Sequence, residues 1–82
     1  MNGRREKMAS PSILKKTMDF PEALYSVIAG GKITKLEWGN PEIYLVMNGG
    51  FLMLRKADGS LHRLIISDGD LLGLDWVAVM EN

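Results

Sequence analysis

Asp68, Asp70 and Asp75 lie close together near the C-terminal end of the chain, a grouping that invites comparison with a divalent-cation site. An EF-hand loop needs more oxygen ligands at fixed positions than these three carboxylates supply. Ser67 stands three residues before Asp70, and Ser-x-x-Asp reads as a capping box, so helix capping accounts for Asp70 without an ion. His62 is the sole histidine and cysteine is absent, so no zinc-ligand set can be assembled. Between Leu61 and Arg63, His62 reads as an ordinary strand residue. Ser67 has neither Gly-x-Ser-x-Gly surroundings nor a base at a recognisable spacing. Gly30-Gly31 and Gly49-Gly50 match neither a Gly-x-Gly-x-x-Gly loop nor a Walker loop. No catalytic residue, metal or cofactor is expected, and the chain is not expected to be an enzyme.

A site without base, nucleophile or metal can still hold a ligand by stacking and charge-assisted hydrogen bonds. Trp38, with Tyr44, is the candidate to stack a base, and Lys35 and Arg55 are the candidates to meet phosphate. Trp38 sits in Glu37-Trp38-Gly39-Asn40-Pro41, a turn-rich connection. A large aromatic there is either a stacking platform or a plug folded back on the sheet edge, and both readings stand. Trp76, between Asp75 and Val77, reads as a core residue.

The elements that must position these side chains are legible from spacing. Asp19-Phe20-Pro21-Glu22 marks a helix start, with Asp19 as cap and Pro21 in the first turn. Phe20, Ala23, Leu24, Val27 and Ile28 then form one apolar stripe, and Gly30-Gly31 ends the helix at Ala29. Short strands follow at Lys32–Leu36, Ile43–Met47, Phe51–Arg55 and Leu61–Ile66. Asn48-Gly49-Gly50 and Asp58-Gly59 supply the tight turns between them. A single helical turn after Ser67 precedes a closing strand at Trp76–Met80. The expectation is an α+β fold: one main N-terminal helix on an antiparallel meander of four or five strands, with a short helical turn before the last. Both faces of the 43–54 hairpin are apolar, whereas an antiparallel sheet with one wet face should alternate. One helix covers one face, so the other is expected to pack on another subunit of a dimer or tetramer.

With 82 residues the chain makes one domain, and 46% apolar composition makes it globular. No apolar run approaches the ~20 residues of a membrane span, and no apolar segment of a secretory signal follows the basic N-terminus. A cytoplasmic location in a bacterial host is expected. The formal net charge of zero hides an asymmetry. Residues 1–17 carry five cations against Glu6, a net +4, and residues 18–82 carry five against nine acids, a net −4. Residues 1–17 are read as a basic, flexible leader and 18–82 as the domain. Nucleic-acid binding through the leader is the weakest of the functional expectations.

Phe-x-x-Ala-Leu at Phe20, Gly-Lys-Ile-x-Lys-x-x-Trp ending at Trp38, and Asp-Leu-Leu-x-x-Asp-Trp ending at Trp76 occur in that order. Together with Asp58-Gly59 and Ser67 they resemble the Thoeris anti-defence 2 family, small proteins of phage and prophage genomes. The resemblance covers residues 18–80 and assigns Phe20, Ser67, Asp70, Asp75 and Trp76 to the family's structural signature. It implies a homo-oligomer that sequesters a nucleotide-derived immune signal, a cyclic ADP-ribose type or a cyclic dinucleotide, between subunits without cleaving it. The alternative expectation is a protein-interaction or virion-associated module of the same fold.

Overall fold

A computed structural model describes residues 11–13 and 16–81 of the chain, and the side chains of residues 16–80. Of the expected leader, residues 1–10, 14 and 15 lie outside the described residues. Pro11–Ile13 forms strand β1. Helix α1, Phe20–Ile28, leads to β2, Lys32–Lys35. One turn of 3-10 helix at Leu36–Trp38 follows, then β3, Tyr44–Asn48, and β4, Phe51–Arg55. Strand β5, Leu61–Arg63, precedes a short helix α2, Asp68–Leu72, and the last strand β6, Trp76–Glu81.

The fold is α+β, with one main helix, an antiparallel sheet and a short helical turn before the final strand. The caps behave as their side chains dictate. Asp19 Oδ1 accepts from the Glu22 backbone N–H at 3.0 Å. Ser67 Oγ accepts from Asp70 N at 3.2 Å while Asp70 Oδ2 accepts from Ser67 N at 3.1 Å, a closed capping box. Gly49 and Gly50 both carry positive φ, 62° and 84°, as the β3–β4 turn requires.

The strand order is β1-β6-β2-β3-β4-β5. The expected meander is therefore β2 to β5, and the closing strand does not extend it. Residues 64–75 instead return along the helix-covered side, where Leu64 joins the core and α2 meets Lys35 and Trp76. They deliver β6 beside β2, where Ile33 faces Ala78 and Lys35 faces Trp76. Strand β1 joins on the far side of β6, with Ser12 opposite Met80, and makes six strands among the described residues. Five of these come from the expected domain and the sixth from within the expected leader. The physical reason for the central placement is in β6 itself. Trp76, Val77 and Val79 alternate across the sheet yet are all buried, so this strand needs neighbours and cover on both sides.

Helix α1 covers one face through Phe20, Ala23 and Val27, which pack on Ile33, Leu45 and Trp76. Register and alternation place Lys35, Met47, Leu52 and Leu54 on that face too. The opposite face carries Lys32, Thr34, Tyr44, Val46, Phe51, Met53, Arg55, Arg63, Val77 and Val79. Its centre is already sheltered, because Thr34, Tyr44, Val77 and Val79 are buried. Large exposed apolar side chains gather elsewhere, on the 64–75 crossover at Ile65, Ile66, Leu71, Leu72 and Leu74.

Candidate functional site

The four binding candidates fall on two sides of the sheet. Lys35 and Trp38 lie around Trp76 on the helix face. Lys35 is only 5% exposed, and its Nζ sits 3.1 Å from Glu37 Oε1, 3.7 Å from Asp70 Oδ1 and 3.4 Å from the Gly69 carbonyl, to which it donates. It also stands 5.5 Å from the Trp76 ring centroid. Burial pulls the Lys35 pKa down, but the hydrogen bond and charge of Glu37, with the charges of Asp75 and Asp70, outweigh it and leave the value raised above 10.5. This ammonium is neutralised inside the protein, and it ties α2 to β2 rather than facing a ligand.

Trp38 packs edge-on against Trp76, with ring centroids 5.5 Å apart and planes at 84°. Its side chain is half-buried and joins the core beneath α1. Of the two roles open to it from sequence, this is the plug folded back on the sheet. Trp38→Ala is therefore expected to lower the melting temperature by roughly 5–15 °C, the loss of an aromatic contact plus partial burial, and to leave anion binding within twofold. A thermal melt beside a titration checks it. Unchanged stability with lost binding would return Trp38 to the ligand.

Tyr44 and Arg55 are brought together on the opposite face, directly across the β3–β4 ladder. The Tyr44 ring has Lys32 Nζ at 5.2 Å and Arg55 Cζ at 5.3 Å from its centroid. Arg55 Nη1 also donates to the Glu42 carbonyl at 2.8 Å, and Thr34 Oγ1 donates to the Ile43 carbonyl at 2.6 Å. The 39–43 connection is thus held over this side of the sheet. Because Tyr44 is itself buried, it serves as a platform for cations and not as an open surface for a base. Further along, Arg63 Cζ lies 4.1 Å from the Phe51 ring centroid. Among the described residues neither Arg55 nor Arg63 has a carboxylate partner. Arg55 spends one donor on the Glu42 carbonyl, and an arginine held beside a ring loses less freedom when its remaining donors meet an anion.

Lys32, Phe51 and Arg63 were not singled out from sequence, although for two of them a signal existed. Turns at Asn48–Gly50 and Asp58–Gly59 set the register of β3 to β5, and period-two alternation then puts Phe51 and Arg63 on the Tyr44–Arg55 face. Lys32 joins it only through the pairing of β2 with β3.

The acidic and hydroxyl groups have other duties. Asp75 Oδ2 accepts from the Glu37 backbone N–H at 2.9 Å, and Asp70 is committed to its cap and to Lys35. Among the described residues no three His, Cys, Asp or Glu side chains converge as a metal site would need. Ser60 Oγ donates to Asp58 Oδ1 at 2.6 Å and lies 3.0 Å from His62 Nε2. Here the hydroxyl sits between acid and imidazole, whereas base activation needs the imidazole in the middle. The side-chain and backbone hydrogen bonds from Ser60 hold the Asp58 carboxyl below its ordinary pKa and order the β4–β5 turn.

The arginine face is open: no pocket closes among the described residues. No described helix is long and apolar enough to cross a membrane. Comparison with protein-family models finds no match, and comparison with curated proteins finds none.

Proposed function

We propose that the protein is a non-catalytic sponge that binds a nucleotide-derived signal, of the cyclic ADP-ribose or cyclic dinucleotide type, and holds it without turnover. The observation that carries this reading is the Arg55 guanidinium, held near Tyr44 beside Lys32 and without a carboxylate partner among the described residues. A fixed guanidinium meets phosphate through paired, charge-assisted hydrogen bonds. An open face encloses little of a small ligand by itself, and small-molecule sites usually bury most of their occupant. A second copy packed over this face would complete the enclosure, in a dimer or tetramer located in the cytoplasm of a bacterial host. A ligand phosphate between two such faces would also offset the repulsion of their cations.

The test is calorimetry of the full chain against cyclic ADP-ribose isomers and cyclic dinucleotides, with chromatography of the ligand afterwards. Tight binding with intact ligand supports the sponge, and cleavage products would make the protein an enzyme. Arg55→Ala is expected to weaken binding about ten- to a hundredfold, the loss of one charge-assisted contact of roughly 1.5–3 kcal/mol. Unchanged affinity in that variant would move the ligand off this face.

A second reading has its own observation. Ile65, Leu72 and Leu74 are each more than two-thirds exposed on the crossover. Apolar exposure of that kind marks protein contacts, and it favours a protein-interaction or virion-associated module should no ligand in the panel bind.

A further inference from the structure

The Tyr44–Arg55 pair has a counterpart. Arg63 over Phe51 repeats the same construction on the same face, a guanidinium near an aromatic ring with no carboxylate partner among the described residues. Arg63 faces Met53, two residues from Arg55 along β4, and its guanidinium lies over Phe51, two residues the other way. The two anchors thus sit towards opposite ends of β4. Phe51 and Arg55 are four residues apart, roughly 13 Å at the usual strand rise. Half-buried Met53 and the half-exposed Phe51 ring provide apolar surface between and beside them.

One phosphate cannot reach across that span, and the adjoining phosphates of a pyrophosphate cannot either. A ligand that satisfies both guanidiniums must carry phosphates separated by nucleoside-sized spacers. It must also be flat and extended, because the face is open. We infer that single-stranded nucleic acid lies along β4 on this face, with backbone phosphates two nucleotides apart on Arg55 and Arg63 and bases on Phe51 and Met53. The inference rests on reading Arg55 as a phosphate contact, and it adds a second position that a small signal does not need. Open sheet faces with basic and aromatic side chains are well suited to single strands, since every base offers a face to stack and every nucleotide a charge. Duplex DNA fits poorly, because its rigid grooves would not follow a single strand of the sheet.

Fluorescence anisotropy of the full chain with a labelled twelve-residue oligothymidylate, titrated with salt, tests this. Binding is expected, weakening as salt rises. Arg63→Gln should reduce affinity about five- to tenfold and shallow the log–log salt slope by about 0.7, one single-strand phosphate contact. Arg55→Gln should do the same. The melting temperature of Arg63→Gln should match the parent, since Arg63 is exposed, and that of Arg55→Gln should fall by a few degrees, because Arg55 also holds the Glu42 carbonyl. A third variant, with Arg4, Arg5 and Lys7 changed to Gln, separates this face from the basic N-terminal residues. No binding at low salt would overturn the inference. So would equal affinity for duplex, or binding that survives both arginine changes and vanishes in the third variant. Small-signal binding without oligonucleotide binding keeps the sponge and removes this inference. Oligonucleotide binding with no affinity for any small signal does the reverse. A loss on Arg55→Gln for both ligands, with a loss on Arg63→Gln for the oligonucleotide alone, supports both.

Discussion

Trp76→Ala is expected to lower the melting temperature by roughly 15–30 °C and to leave a largely unfolded chain at 37 °C. Trp76 is fully buried and is the hub of the helix-face core. Phe20 packs against it with centroids 5.2 Å apart, Trp38 meets it edge-on, and Lys35 lies over its ring. Its Nε1 donates to the Asp70 carbonyl at 3.1 Å, which ties β6 to α2. Truncating a buried tryptophan costs about 3–5 kcal/mol. A domain of this size has a total stability of only about 4–12 kcal/mol. The removed side chain is large, and the small core around it has little means of collapsing into the space. Trp76→Phe separates two contributions, keeping an aromatic ring while removing the indole donor and leaving the Asp70 carbonyl only the Gly73 N–H. It should fall between parent and alanine variant. Circular dichroism melts of the three proteins check this, and a loss below 10 °C for the alanine variant would show that the core is not organised around this ring.

The second large effect concerns Lys35. Lys35→Met keeps the aliphatic stem and removes the charge that Glu37, Asp70 and the Gly69 carbonyl share. Hydrogen bonds to a charged group contribute about 1.5–3 kcal/mol. Glu37 is largely exposed, so water screens part of that contribution. A fall of roughly 5–15 °C in melting temperature is expected. The pH dependence has a definite sign. Since the folded pKa is raised above 10.5, the charged lysine contributes fully below that value. Its contribution disappears as pH climbs through the raised folded value. The stability gap between parent and Lys35→Met should therefore be constant through neutral pH and narrow in strongly alkaline solution. A gap that narrows towards acid pH alone would place the effect on the carboxylates instead.

The parts of the fold legible in sequence were those governed by local chemistry. Asp19 and Ser67 announce their helices because a capping oxygen acts within three residues. Asn48-Gly49-Gly50 announces its hairpin because few residues tolerate positive φ. The placement of β6 was not legible, since it depends on pairing across more than forty residues of chain, and no local pattern encodes a partner at that distance. Candidate binding residues divided for the same reason. Arg55 and Tyr44 share a face by period-two alternation within one hairpin. Lys35 and Trp38 look equally available in sequence, and only the arrival of β6 and α2 buries the lysine and props the tryptophan on Trp76. The second face of the hairpin was read as apolar and in need of a neighbour. Its aromatic residues also carry the protein's own cations, an arrangement that needs Lys32 and Arg63 from strands on either side.

The position of β6 has a consequence for how the protein comes to exist. The last described strand to leave the ribosome is an interior one, flanked by β1 and β2. Until about residue 81 has been made, β2 has no neighbour on its β6 side, and Phe20 has no Trp76 to meet. Folding of the core must therefore wait for β6, and the amphipathic helix emerges long before the surface it covers is complete. Truncation before residue 76 would remove β6, part β1 from β2 and take Trp76 out of the core. The last described strand to be made is thus one that the rest of the sheet is built around on both of its edges.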